Sequence, residues 1–354
     1  MLTSYGWSEK LQDDFAPYAA EGLIPARILI QHRGGYRLIT EQGEMDGLAS
    51  GRLIKTSSEV ERPAAGDWVA GELRDGQFLV QRVLPRATAF VRKAISRGGA
   101  QVVAANADVA LLVASLNSDL NLRRLERYLA TTYESGAQPV IVLTKADLAT
   151  DVDAAVAEVE AIAFGAPVLA ISSKTGQGLD ALREHLPPGR TAVLLGSSGA
   201  GKSTLLNALA GEERMDTGAI READERGRHT TTHRELVLMP YGGLILDTPG
   251  MRELGMWDAS GGVSTAFEDV EELAAQCKFS DCSHGNEPGC AVQAAIASGD
   301  LPEDRWLAYQ KLQAELAFEK RKEDPQLALA NKRKWISIHK AGRARMKAKR
   351  EVDD

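Results

Sequence analysis

One nine-residue stretch constrains this chain more than any other. Gly196, Ser197, Ser198, Gly199, Ala200, Gly201, Lys202, Ser203 and Thr204 spell the pattern G-x-x-x-x-G-K-[ST]. An apolar run, Ala192-Val-Leu-Leu195, precedes it, and a helical run, Leu205-Leu-Asn-Ala-Leu209, follows. Strand, glycine-rich turn and helix together let backbone N–H groups close on phosphate oxygens, while the helix N-terminus adds positive potential. In such a loop Lys202 reaches the β- and γ-phosphates and the Ser203 hydroxyl ligates Mg²⁺.

The rest of the central region supplies a sheet for this loop. Val109–Val113, Val140–Leu143, Val168–Ile171, Ala192–Leu195 and Leu244–Leu246 read as buried strands, with helical stretches near Leu122–Tyr133 and Val152–Ala163. Strands alternating with helices predict an α/β, doubly wound parallel sheet. Asp247-Thr248-Pro249-Gly250 ends the last strand. There the Asp247 carboxylate can join the Mg²⁺ shell and the Gly250 N–H can sense the γ-phosphate.

Two more segments end strands. Thr144-Lys145-Ala146-Asp147 follows Val140–Leu143, and Ser172-Ser173-Lys174 follows Val168–Ile171. The Asp147 carboxylate can accept two hydrogen bonds from a guanine ring N–H and amino group, a pair that adenine lacks. Lys145 packs along the base and the phosphate loop, and Ser173-Lys174 offers a backbone N–H to the guanine carbonyl. Asn usually stands where Thr144 does, and the missing carboxamide predicts weaker guanine affinity. These base readers precede the phosphate loop, whereas ordinary GTPases place the loop first, so the order is that of a circular permutation. Close termini in compact domains make such a cut tolerable.

The flanks differ in kind. Ile28–Ile30, Tyr36–Ile39, Trp68–Ala70 and Phe78–Val80 are β-rich and broken by Gly34-Gly35, Asp46-Gly47, Gly66 and Asp75-Gly76. About five short strands in that space suit a small OB-fold barrel, with an open sheet as the alternative. Residues 212–234 are polar and glycine-broken and read as a long mobile loop. Beyond residue 262 the chain turns helical, with a long helix after Pro302. All three cysteines, Cys277, Cys282 and Cys290, fall in one window with His284. This Cys₃His set predicts a closed tetrahedral zinc site of structural type.

With 354 residues, 44% hydrophobic and 26% charged, the chain suits two or three soluble domains. No apolar run is long enough for a membrane span, and Met1–Phe15 has no signal-peptide core, so a cytoplasmic protein is expected. The net charge of −7 hides a gradient. Lys332–Arg350 holds nine cations and no acid, which leaves −13 on residues 1–331 once the three terminal acids are counted. An acidic body with a basic tail restricts polyanion contact to a local surface.

The order of motifs, together with Gly66-Asp67-Trp68-Val69, Ala105-Asn106-Ala107-Asp108, Gly227-Arg228-His229-Thr230-Thr231-Thr232 and the cysteine cluster, resembles the ribosome small-subunit-dependent GTPase family over essentially the whole chain. The resemblance implies an OB-fold with an N-terminal extension in residues 1–94. It places a circularly permuted P-loop GTPase domain in 95–262 and a mainly helical zinc-binding domain with a basic tail in 263–354. It also implies a monomer that hydrolyses GTP to GDP and phosphate, stimulated by the small ribosomal subunit and its rRNA, late in subunit maturation. Met251 stands where many GTPases carry a water-orienting Gln, and the resemblance gives that role to His229. Thr231 is the expected threonine at Mg²⁺ and the γ-phosphate. Two other functions compete: a non-catalytic, nucleotide-gated RNA-binding scaffold, and an unrelated P-loop ATPase or small-molecule kinase. Asp147 and Ser173 argue against the second.

Overall fold

The computed structural model describes residues 1–32, 34–93, 100–117, 120–163, 165–211, 234–247, 260–285 and 287–323. Two compact units emerge. The first comprises Met1–Gly255 with Gly261–Glu268, the second Met256–Ser260 with Asp269–Asp354. Among the described residues, no helix is long and apolar enough to cross a membrane.

In the first unit, helix α1 (Glu9–Ala20) starts at Ser8, whose hydroxyl oxygen accepts from the Leu11 N–H at 3.3 Å. Five strands follow: β1 (Ile24–His32), β2 (Gly35–Thr40), β3 (Gly43–Ala49), β4 (Trp68–Arg74) and β5 (Gln77–Val83), with helix α2 (Gly51–Thr56) between β3 and β4. They pair in the closed order β1-β2-β3-β5-β4-β1. Only β3–β5 is parallel among these pairs. Closure with that one parallel pair is the OB-fold, not an open sheet. The strand period of two divides the side chains. Ala26, Ile28, Leu38, Val69, Phe78 and Val80 fill the barrel, while Leu29, Ile39 and Trp68 face outward into a second core.

One expected break is not a break. Asp46-Gly47 lies inside β3, where Gly47 pairs with Phe78. A Cβ at Gly47 would stand 2.5 Å from Leu38 Cδ1 and 2.6 Å from the Phe78 carbonyl oxygen, so the glycine permits a close approach within the barrel.

A hairpin of β6 (Ala89–Lys93) and β7 (Ala100–Ala105), not anticipated from sequence, leads to the second sheet region. There β8 (Val109–Ser115), α3 (Leu122–Ser135), β9 (Gln138–Thr144), α4 (Val152–Ala163), β10 (Val168–Ala170), α5 (Leu179–Glu184), β11 (Thr191–Gly196), α6 (Lys202–Ala210), β12 (Arg234–Leu238) and β13 (Leu244–Asp247) follow in chain order. In space the strands run β10-β9-β8-β11-β13-β12. All neighbours are parallel except β12, which is antiparallel to β13.

Both faces of this sheet are buried, as its continuous apolar runs demand. Leu112, Ile141, Leu143, Val193, Leu195 and Leu246 share one core with α3 and α4, while Leu111, Val113, Val142, Leu194 and Ile245 share the other with α5 and α6. The first core continues into the outward face of the barrel. Barrel and sheet are also joined by backbone, because β1 pairs with β12 at Ile30↔Glu235 and Gln31↔Arg234. Strand β1 keeps β2 on one side. On the other it pairs with β4 through Arg27 and with β12 from Ile30, and a register shift between Ile28 and Ile30 marks the change.

Helices α7 (Ser260–Ala266), α8 (Glu268–Ala275), α9 (Ala291–Ser298) and α10 (Glu303–Glu323) complete the described chain. The last is the long helix expected after Pro302. Within the second unit Arg305 anchors it, donating from Nε and Nη2 to Asp269 at 2.7 and 2.9 Å.

Candidate active site

Parallel strands carry their following loops at one end of a sheet, and ligands of such sheets bind there. The phosphate loop leaves β11, the segment Thr144–Asp147 leaves β9, Ser172–Lys174 follow β10, and Asp247 closes β13. The strand order therefore sets the base readers to one side of the phosphate loop and Asp247 to the other.

Side chains tie these loops together. Gly199 and Gly201 take φ of +77° and +90°, which a bulkier residue would resist, and turn the chain into α6. The Thr144 hydroxyl, fully buried, donates to the Ala200 carbonyl at 2.7 Å, with the Ala114 carbonyl at 3.3 Å. Lys145, in the left-handed region at φ +61°, donates from Nζ to the Gly199 carbonyl at 2.9 Å. Two successive residues of the base-reading segment are thus bonded to two successive residues of the phosphate loop. Thr144 makes its part of this bridge through its hydroxyl.

Asp147 and Ser172 are joined by a hydrogen bond. The Ser172 hydroxyl donates to Asp147 Oδ1 at 2.6 Å and accepts from the Thr175 N–H at 3.2 Å. The backbone repeats the junction, with the Ala146 N–H donating to the Ile171 carbonyl at 3.0 Å. Asp147 is exposed and Ser172 buried, so the carboxylate stands at the surface on a fixed support. Lys202 Nζ donates to the Gly196 and Ser197 carbonyls at 2.7 and 2.5 Å. Ser203 and Thr204 occupy the first turn of α6, with Ser198 exposed in the loop. Ser173 and Lys174 lie in the turn after β10. Gly250, Met251, His229, Thr231 and the basic tail lie outside the described residues, as does the loop expected at 212–234 except for Arg234, which begins β12.

The second unit brings the predicted metal ligands together. Cys277 follows α8, Cys282 and His284 sit in the loop beyond it, and Cys290 caps α9, accepting from the Gln293 N–H at 3.5 Å. The four ligand atoms all lie within 4.8 Å of one another. Cys277 Sγ stands 3.5 Å from His284 Nδ1 and 3.9 Å from Cys290 Sγ, and Cys290 Sγ stands 3.7 Å from the same nitrogen. Tetrahedral bonds to zinc of about 2.3 Å from sulfur and about 2.0–2.1 Å from nitrogen give ligand separations of roughly 3.6–3.8 Å. The cluster therefore has the dimensions to hold zinc. Support is local. His284, at φ +57°, presents its ring edge-on to Trp306 at 5.3 Å, and its carbonyl accepts from Gln293 Nε2 at 2.8 Å. Glu287 accepts from the Ser283 hydroxyl and N–H and from the Gly285 N–H, bonds that hold its carboxyl down at about 2.

Residues 83–257 match the model of the RsgA GTPase family. The small ribosomal subunit biogenesis GTPase RsgA of Opitutus terrae is 46% identical, with 97% of each chain covered. The chain belongs to the RsgA GTPase family. The protein of the same description from Streptomyces coelicolor is 47% identical over 99% of this chain and 96% of its own. Among solved structures, YjeQ from Thermotoga maritima is similar with a TM-score of 0.63 at 27% identity, covering 83% of this chain and 98% of its own. YloQ, described as a circularly permuted GTPase, gives 0.59 at 28% identity, over 83% and 95%.

Two of the segments that carried the family resemblance, Gly66–Val69 and Ala105–Asp108, face each other across the seam between barrel and sheet. Gly66, at φ +89°, lies so close to β7 that a Cβ would stand 2.2 Å from the Ala105 carbonyl oxygen. Asp67, fully buried, accepts two bonds from Arg86, at 2.8 and 2.7 Å, and one from the Ala64 N–H at 2.7 Å. Asn106 donates to the Gly66 carbonyl at 3.3 Å and accepts from the Ala87 N–H at 3.0 Å. Asp108 accepts from the Thr191 N–H at the base of β11 at 2.7 Å.

Arg27 crosses the same seam. It bonds the carbonyls of Tyr5, Gly66 and Asn106 and the Thr191 hydroxyl, and lies over the Trp68 ring. Burial lowers its pKa to about 10, against the opposing pull of Asp108 and Asp67. Sequence pattern alone did not single out Arg27. Its only signal is a cation in an apolar strand register.

Proposed function

We propose that the chain hydrolyses GTP to GDP and phosphate, is stimulated by the small ribosomal subunit, and acts late in maturation of that subunit. The observation that carries this reading is the bonding of Thr144 and Lys145 to the phosphate loop, which makes base reading and phosphate binding one site. The subunit enters through the descriptions of the RsgA relatives.

In this reading Asp147 accepts from the guanine N–H and amino group, and Ser172–Lys174 line the base. The loop Gly196–Thr204 wraps the phosphates, with Lys202 turning from its own carbonyls to the phosphate oxygens. Ser203, Asp247 and Thr231 are the donors for Mg²⁺, an oxygen set that suits a hard cation, and bound Mg²⁺ neutralises phosphate charge. The Gly250 N–H senses the γ-phosphate and His229 orients the attacking water. Zinc at Cys277, Cys282, His284 and Cys290 serves folding, because four protein ligands leave no open position. Residues 1–94, 95–262 and 263–354 act as barrel, GTPase and zinc domains of a cytoplasmic monomer, and the tail Lys332–Arg350 contacts rRNA phosphates.

The test is turnover of GTP and ATP with and without purified small subunits. Expected is GTP-selective hydrolysis on the order of 10⁻⁴–10⁻² s⁻¹ alone, rising with subunits. Equal use of ATP would overturn the base assignment. GTP binding without turnover, subunits present, would establish the nucleotide-gated scaffold instead.

A further inference from the structure

Asp247 has an unusual lateral support. Pairing between β11 and β13 runs Thr191↔Leu244, Ala192↔Ile245 and Val193↔Leu246 and stops there. In the strand ladder Asp247 pairs with Glu235 of β12, and Glu235 pairs on its other side with Ile30 of the barrel. One row, Ile30–Glu235–Asp247, therefore runs from the OB-fold to the carboxylate at the phosphate end of the site.

The next position along β12 fastens that row. Arg234 pairs with Gln31 by backbone, and its Nη1 also donates to Gln31 Oε1 at 2.8 Å and to the Val102 carbonyl at 3.5 Å. Gln31 passes the contact on, donating from Nε2 to the Pro63 carbonyl at 3.3 Å. Ala64, Val102 and Ala105 form a small buried cluster beside it. Among the described residues the acceptors of Arg234 are an amide and a carbonyl. Burial, then the neighbouring cation Arg92, lowers its pKa to about 10. The guanidinium acts here through directed hydrogen bonds. It holds three pieces of chain in one geometry: the barrel strand, β7 and β12.

We infer that Arg234 is a positioning residue for hydrolysis. By locking β12 to the barrel at Gln31, it lets an RNA surface docked on the barrel set the alignment of Asp247 through the Ile30–Glu235–Asp247 row. This rests on the reading of the chain as a subunit-stimulated GTPase. Backbone ladders suit the task, since hydrogen bonds weaken steeply as their angles open, so a strand moves with its neighbour rather than past it.

The experiment compares the full chain with Arg234→Met, Arg234→Lys, Gln31→Ala and the Arg234→Met/Gln31→Ala double variant. Four quantities are read: GDP affinity, subunit affinity, turnover alone, and turnover at saturating purified small subunits. Arg234→Met is expected to keep GDP affinity, subunit affinity and unassisted turnover within about threefold and to lose about tenfold or more of the stimulated kcat. Gln31→Ala, a milder change that leaves the arginine in place, loses part of the stimulation. The double variant loses no more than Arg234→Met, and Arg234→Lys recovers part.

Full stimulation in folded Arg234→Met and Gln31→Ala overturns the proposal. So does a loss that higher subunit concentration restores, because Arg234 would then be an RNA contact. Absence of stimulation in the unaltered protein would instead overturn the functional reading beneath it.

Discussion

Asp147→Asn tests the base site, and the structure states how the new amide will point. The Ser172 hydroxyl already accepts from the Thr175 N–H, so its proton goes to Asp147 Oδ1 at 2.6 Å. With Asn in place, that proton selects the amide oxygen, and the NH₂ group turns to where Oδ2 now lies. A guanine offers two donors there. One bond to a charged acceptor is replaced by two opposed donors, and the other loses its charge. Hydrogen bonds to charged groups contribute about 1.5–3 kcal/mol and neutral ones about 0.5–1.5. The loss is roughly 3–4 kcal/mol, or about 10²–10³-fold in GTP affinity. Xanthosine triphosphate, with a carbonyl in place of the amino group, should be preferred. Titration calorimetry with both nucleotides reads the result. Adding Ser172→Ala should narrow the discrimination, because the amide can then flip. A GTP affinity within tenfold of the unaltered protein, or discrimination indifferent to Ser172, refutes the reasoning.

Lys202→Ala should reduce turnover at least about a hundredfold in single-turnover assays with little change in melting temperature, since its ammonium bonds the Gly196 and Ser197 carbonyls of its own loop. Metal analysis should find about one zinc per chain, and Cys282→Ser should lower the melting of the second unit while GDP affinity is kept. Gly66→Ala should destabilise the first unit by at least about 2 kcal/mol, several degrees in Tm, because φ is +89° and the new Cβ meets the Ala105 carbonyl oxygen at 2.2 Å. An unchanged denaturation midpoint would show that this approach is not tight.

Most of the central sheet was legible because its strands are buried on both faces and so read as unbroken apolar runs, four of them (β9, β10, β11 and β13) ending in a motif. The Cys₃His cluster was legible from spacing alone. Strand β3 was hidden by its composition. Gly43-Glu-Met-Asp-Gly-Leu-Ala49 resembles a turn, and only the close approach of Leu38 and Phe78 explains a glycine there. Strand β12 was hidden for a different reason. Its five residues pair with the neighbouring β13 and, at Arg234 and Glu235, with β1 some 200 positions away, and no local pattern records the second partner. Thr144 was read for what it lacked, because its bond to Ala200 depends on where the phosphate loop comes to rest. Arg27 is the same case, since its acceptors come from four separate stretches of chain.

The pairing of β12 with β1 also bears on self-association. A strand at a sheet margin offers unpaired N–H and C=O groups to any other chain, and proteins shield such margins. Here one flank of the sheet is closed into a barrel. Among the described residues the remaining open margin is β10, three residues long. A fragment beginning near residue 83, where the family match starts, would lay bare the β12 edge at Arg234 and Glu235 together with the apolar side chains that now meet Leu29, Ile39 and Trp68. Such a fragment should associate with itself in a concentration-dependent way even with its nucleotide motifs complete. The barrel then acts as a built-in shield for the sheet it adjoins.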